Sequence, residues 1–194
     1  MKSVLLLGSI LLLSACGSMQ SQVVKKNVVF DPDSQAQIRS YGSYGSDLIR
    51  IYPETDCAKW EGTKRNTVNR RFVNGLPRKV RNISIGIPPT ELSRKTEKDT
   101  GFVFRDSYRE MVVSANQPVV LDGAFSSQTR NHHYSCRVAA SFTPKAGEAY
   151  EVRYLSEEEG CDIEVYHIGH EEKDGVRPTK KLTANYCAKP GTSF

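Results

Sequence analysis

No part of this sequence is apolar over the roughly 20 consecutive residues that a membrane-crossing helix needs. The longest such run, Val4 to Leu13, is 10 residues and is broken by Gly8 and Ser9, so a permanent transmembrane helix is not expected. Catalytic signatures are missing too: there is no Gly-x-Ser-x-Gly elbow and no Ser-x-x-Lys pair, which leaves nucleophilic hydrolysis without its usual seat. Asp56, Asp122, Asp162 and the run Glu157 to Glu159 supply carboxylates, but no motif places two of them as an acid and base. A formal charge of +5 over 194 residues is a mild surplus, far from a nucleic-acid-binding composition. No internal repeat is evident, and no stretch longer than about ten residues keeps a helical apolar period. Helical bundles and repeat arrays are thereby set aside.

What is present begins at the amino terminus. Lys2 gives a positive start, Val4 to Leu13 an apolar stretch, and Ser14-Ala15 two small residues before Cys16, which is the grammar of an export signal. Leu13-Ser14-Ala15-Cys16 resembles the lipobox of bacterial lipoproteins. The resemblance implies cleavage before Cys16 and a lipid thioether on its sulfur. Two or three acyl chains, at about 0.8 kcal/mol per buried methylene, hold a protein on a membrane far longer than one myristoyl chain does. Gly17, where Asp is lacking, implies by the same resemblance delivery to the outer membrane, on its periplasmic or its surface face.

Residues 1–15 therefore read as a signal peptide, 16–27 as a lipidated Cys with a flexible tether, and 28–194 as one domain. Processing leaves 179 residues and lowers the charge from +5 to +4, since the removed segment carries Lys2 and no acid. With Cys16 assigned to lipid, Cys57, Cys136, Cys161 and Cys187 are an even set in a chain bound for an oxidising compartment, and two disulfides follow. Four cysteines allow three connectivities. Strand parity favours Cys136 with Cys161, because Cys136 shares the apolar phase of Tyr134, Val138, Ala140 and Phe142, and Cys161 that of Ile163 and Val165. Cys57 then pairs with Cys187. In the chain-entropy account the loops of about 25 and about 130 residues contribute roughly 3.5 and 5 kcal/mol.

From Val28 onward, short runs rich in Val, Ile, Tyr and Phe are broken by Gly, Pro, Asn and Asp. Strands are expected over 36–41, 48–52, 81–85, 109–113, 119–124, 133–142, 150–155 and 161–167. The predicted fold class is all-β: a single immunoglobulin-like antiparallel β-sandwich with a long charged excursion. Residues 133–167 read as three successive antiparallel strands, and Tyr150 after Gly147 hints at a tyrosine corner. Between Ile87 and Arg109 the pattern lapses into Pro88-Pro89 and a charged run, which predicts a surface excursion or mobile loop. The polar tail 171–194 is expected to be pinned by Cys187.

Three phrases occur together: Phe30-Asp31-Pro32 before Ile38-Arg39-x-Tyr41-Gly42; Ser84-Ile85-Gly86-Ile87-Pro88; and Cys136 to Phe142 running into Thr143-Pro144-x-Ala146-Gly147-x-x-Tyr150-Glu151-Val152, with Cys161 following. In combination they resemble an uncharacterised lipoprotein family of Gram-negative proteobacteria. The resemblance spans most of the mature chain, and its motifs are structural. It implies a location and an all-β fold, and it brings no catalytic residues with it.

Metal-ligand residue types cluster at His132-His133 with Cys136 and at His167-x-x-His170. On a strand His132 and His133 face opposite sides, Cys136 is expected to be oxidised, and two histidines without a third ligand do not define a site. No metal and no cofactor is therefore predicted. The strongest anomaly is charge: Lys64, Arg65, Arg70, Arg71, Arg78, Lys79 and Arg81 fall in one stretch without an acid. With Trp60 and Phe72 nearby, this strip suits contact with anionic headgroups, acidic glycans or an acidic protein partner. A solvated basic edge that blocks strand pairing is the plainer reading. The sequence thus predicts a non-catalytic binding or accessory module of the cell envelope, held to a membrane by its lipid and without a nucleic-acid partner. The rivals are a loop-based hydrolase or metal-dependent enzyme using His132, His167 and His170, and a purely structural envelope protein.

Overall fold

The computed structural model describes residues 23–42, 48–68, 72–73, 76–77, 80–99, 101, 105–128, 130, 133–157 and 160–188. The strands are β1 (Val23–Lys25), β2 (Gln35–Gly42), β3 (Leu48–Tyr52), β4 (Asn66–Val68), β5 (Phe72–Val73), β6 (Leu76–Pro77), β7 (Asn82–Ser84), β8 (Ser107–Ser114), β9 (Val119–Gln128), β10 (His133–Phe142), β11 (Ala149–Glu157), β12 (Gly160–Ile168), β13 (Thr179–Leu182) and β14 (Asn185–Ala188), with one helix, α1 (Glu91–Glu97). One sheet of seven strands has the order β1-β7-β8-β2-β11-β12-β13; a second, of five, has the order β14-β10-β9-β3-β4; β5 and β6 pair with each other.

The two large sheets form a sandwich whose inner layer follows the alternation in the sequence. Cys136, Val138, Ala140 and Phe142 from β10 meet Cys161, Ile163 and Val165 from β12, along with Ile38, Ile51, Leu121 and Val152, in one buried cluster. Cys136–Cys161 crosses this core as an inter-sheet disulfide, and Cys57–Cys187 forms the second bridge. The pairing read from strand parity is the one formed. Tyr150 does make a corner: its hydroxyl accepts the Lys145 N–H at 2.9 Å, fixing the turn in which Gly147 has φ +76°.

Several expectations are corrected. Pairing in the five-stranded sheet is antiparallel throughout, but the seven-stranded sheet is mixed: β2 runs parallel to β11, and β7 runs parallel to both β1 and β8. Residues 133–167 do not make a three-strand meander, because β10 pairs with β9 and β14 while β11 and β12 form a hairpin in the opposite sheet. Val23–Lys25, inside the stretch expected to be tether, is the edge strand β1 on β7. The polar tail supplies an edge to each sheet, β13 beside β12 and β14 beside β10.

The described part of the charged excursion is also packed rather than loose. Thr90 caps α1, accepting the Ser93 N–H while Ser93 Oγ accepts the Thr90 N–H, and Pro88-Pro89 deliver the chain to that cap. At the other end Tyr108 donates to Glu97 at 2.5 Å, and the Asp99 carboxylate receives the Gly101 and Asp106 N–H groups. Among the described residues no helix is long and apolar enough to cross a membrane.

Candidate functional site

The seven-stranded sheet carries a row of charges on its outer face. Glu110 and Glu151 are the register partners of Arg39 on either side, so β8, β2 and β11 set the guanidinium between two carboxylates. Arg39 donates to Glu110 Oε1 from Nε at 2.9 Å and from Nη2 at 2.7 Å, and to Glu151 Oε1 from Nη1 at 3.0 Å. Nη2 also reaches the carbonyls of Ile87 and Pro88 at 2.8 and 3.1 Å. Glu110 Oε2 accepts from Ser84 Oγ and from the N–H groups of Ile85, Gly86 and Ile87. Tyr41 and Thr90 donate to Glu151. Burial works against the Arg39 charge, but Tyr41, Glu110 and Glu151 outweigh it and raise the pKa. Burial, reinforced by Glu151, raises that of Tyr41. Arg39, Glu110 and Glu151 are all buried. This cluster clamps the stretch 84–97 onto the sheet.

The outer face of the five-stranded sheet is covered in the same manner. Tyr52, Trp60, Val120 and Ala139 form a second buried cluster, with Cys187 and Ala188 packed against it. Beside it Asp122, fully buried, accepts from Arg50 at 2.8 Å and from Arg137 Nε at 2.6 Å, while the Arg137 guanidinium lies 4.8 Å from the centre of the Trp60 ring. Hydrogen bonding to the Asp122 carboxylate, against partial burial, raises the Arg137 pKa. Trp60 is therefore not the surface ring expected beside the basic strip; it is the plug of this cover.

Of that strip, Lys64, Arg65 and Arg81 are exposed. Lys64 and Arg65 lead into β4 at the edge of the five-stranded sheet, and Arg81 leads into β7 in the other sheet. Arg70, Arg71, Arg78 and Lys79, like His132 and Cys16, lie outside the described residues, as do the side chains of His133 and Phe72. Cys136 is held in its disulfide and is no ligand.

His167 and His170 are brought together, and the third group comes from a residue the sequence did not flag. Glu148 lies within the Lys145–Tyr150 corner, one residue before β11, and His167 stands opposite Tyr150 in the β11–β12 register. His167 Nε2 lies 2.5 Å from Glu148 Oε2; His170 Nε2 lies 3.2 Å from the same oxygen and 3.4 Å from Oε1. Glu148 and His167 side chains are about a quarter exposed and His170 is mostly exposed, at 25%, 27% and 69%. The His167 hydrogen bond, against partial burial, holds the Glu148 carboxyl below its ordinary range, with His170 adding to the effect. The three donor atoms fall within 4.8 Å of one another. Two imidazoles and a carboxylate are a ligand set of metal sites that keep one position open. The missing signal was a turn: Glu148 is 19 residues before His167 in sequence, and only the hairpin register joins them. No family model, curated protein or solved structure matches this chain, so the roles of these groups rest on their geometry.

Proposed function

We propose that this protein is a lipid-anchored component of the cell envelope, fastened through Cys16 to the outer membrane, and that it acts as a non-catalytic binding or accessory module. The carrying observation is the pair of disulfides, Cys57–Cys187 and Cys136–Cys161, which indicates an oxidising compartment outside the cytoplasm. An export signal ending at a lipobox supplies the route there, and the resemblance to the proteobacterial lipoprotein family agrees with it. The strongest buried charges support the non-catalytic reading, because Arg39, Glu110, Glu151 and Asp122 spend their hydrogen bonds on fastening the sheet covers. The contact to an anionic envelope component or an acidic protein partner is the basic strip of Lys64, Arg65, Arg70, Arg71, Arg78, Lys79 and Arg81, of which Lys64, Arg65 and Arg81, among the described residues, are exposed.

Two measurements in cells test this reading. Fatty-acid labelling and membrane fractionation of the full chain should show acylated protein in the envelope, with Cys16→Ser losing the label and the membrane association. An acyl-free, unprocessed amino terminus in the cytosol refutes the anchor. For the contact, in-cell crosslinking of Lys64→Glu/Arg65→Glu/Arg81→Glu should lose partners that the parent chain recovers; an unchanged crosslink pattern removes the basic strip from the function.

A further inference from the structure

We infer that Glu148, His167 and His170 form a divalent transition-metal site of the zinc type, with a coordination position left open to solvent. This goes beyond the anchoring role and stands without it.

The argument starts from convergence. An ordinary histidine–glutamate ion pair needs one imidazole. Here two Nε2 atoms converge on one carboxylate, His167 at 2.5 Å from Oε2 and His170 at 3.2 Å from Oε2 and 3.4 Å from Oε1, from rings that meet edge to face with centroids 6.1 Å apart. A divalent ion meets both lone pairs and the carboxylate charge together. Ligand atoms about 2.0–2.1 Å from a tetrahedral zinc ion sit about 3.3 Å from one another. The His170–Glu148 separation already has that value, and the His167–Glu148 contact needs to open by about 0.8 Å.

The frame supports ligands held before the metal arrives. Glu148 is fixed by its carbonyl, which accepts the Gln37 N–H at 3.0 Å, and by the Gly147 N–H donating to Gln35 at 2.9 Å. His167 sits within the β11–β12 ladder, its ring 5.7 Å from that of Tyr150, which the corner bond itself immobilises. Gly169, between the histidines, donates to the Pro178 carbonyl at 2.8 Å and so aims His170 back at Glu148. Exposed Glu171 and Glu172 follow immediately and favour a cation, whereas Lys180, across from His167, is exposed to water. Imidazole donors select zinc, copper or nickel over magnesium and calcium. With His170 mostly exposed, the remaining position faces solvent, where water or a partner's side chain completes the shell.

The test uses the full, untagged chain in detergent, stripped with chelator and titrated with Zn2+ alone, with Co2+ absorption reporting coordination geometry. One ion per chain is expected, with a rise in melting temperature on binding. Glu148→Gln and His170→Ala should each weaken Zn2+ binding by more than the roughly 10- to 100-fold that even an outer-shell change costs. Their circular dichroism should match the parent chain, since both side chains are at least partly exposed. His132→Ala/His133→Ala should bind as the parent does. Three results overturn the site: no stoichiometric Zn2+ binding, binding unchanged in Glu148→Gln and His170→Ala, or binding lost only in the His132/His133 variant.

Discussion

Replacing Arg39 by Met tests the clamp on the seven-stranded sheet most sharply. Met matches the apolar length of the side chain but removes its charge and its donors to Glu110, Glu151, Ile87 and Pro88. Glu110 and Glu151 would be left facing each other across β2 in a fully buried layer. Breaking a buried ion pair by removing one partner costs about 3–5 kcal/mol, most of it from the charge left behind. For a domain of this size that lowers the melting temperature by on the order of 10 °C. Guanidinium and thermal unfolding under non-reducing conditions measure the loss. Limited trypsin digestion adds a local readout, because the 84–97 cover loses its carbonyl anchors and Arg94 and Lys95 should be cut faster. If the cost comes from orphaned carboxylates, adding Glu110→Gln and Glu151→Gln to Arg39→Met should restore much of the stability. A loss below about 1 kcal/mol for the single variant, or a triple variant no better than the single, refutes the reasoning.

Other outcomes follow from the same geometry. Mild reductant with alkylation and mass spectrometry should open Cys57–Cys187 before Cys136–Cys161, because Cys57 is exposed whereas Cys136 and Cys161 are buried. Cys57→Ser/Cys187→Ser should cost about 2–5 kcal/mol and red-shift the Trp60 fluorescence as its cover loosens. Gly123→Ala would set a Cβ 2.2 Å from the Tyr154 ring and should destabilise by about 1–3 kcal/mol; denaturant melts should show the loss shrinking in a Tyr154→Leu background. Partial burial pushes the Glu164 carboxyl up, but Lys181 at 2.5 Å and Tyr166 at 2.8 Å outweigh it and hold it below its ordinary 4.5. A depressed carboxylate contributes stability above its unfolded pKa and loses it as pH falls through the folded value. Glu164→Gln should therefore be less stable by about 0.2–1 kcal/mol near neutral pH, since Lys181 is exposed, and should converge with the parent chain below pH 4.5 in a pH series of unfolding curves.

Particular elements show how far the sequence could be read. The period-two phase of Cys136 and Cys161 predicted which side of each strand is buried, and with it their pairing, whereas that the bridge crosses between sheets came only with the structure. Parity is a local property, so it survives without knowledge of neighbours. The eight expected strands are all there, whereas β1, β4, β13 and β14 are edge strands of only three or four residues, too short to carry an alternation. Helix α1 was hidden because seven residues are too few for a period to show and its capping box uses Ser93 in place of the usual Glu or Gln. Trp60 misled for a different reason: proximity to basic residues in sequence suggested a surface, but the Arg137 guanidinium and Tyr52 bury its ring.

The candidate metal cluster was half legible. His167-x-x-His170 is visible as spacing, but Glu148 acquires meaning only when the hairpin returns and the Tyr150 corner aims it. The Arg39 row was invisible for the same reason, since its members come from strands 71 and 112 residues apart. By itself the sequence determined what short-range chemistry dictates: an all-β chain, the buried faces of its main strands and an even set of cysteines. Tertiary structure alone decided which strands lie side by side, and hence the mixed sheet, the two clamped covers and the meeting of two imidazoles with one carboxylate. Strand pairing is set by the summed burial of whole faces and by hydrogen bonds between distant backbones, and neither quantity is written in any single stretch of residues.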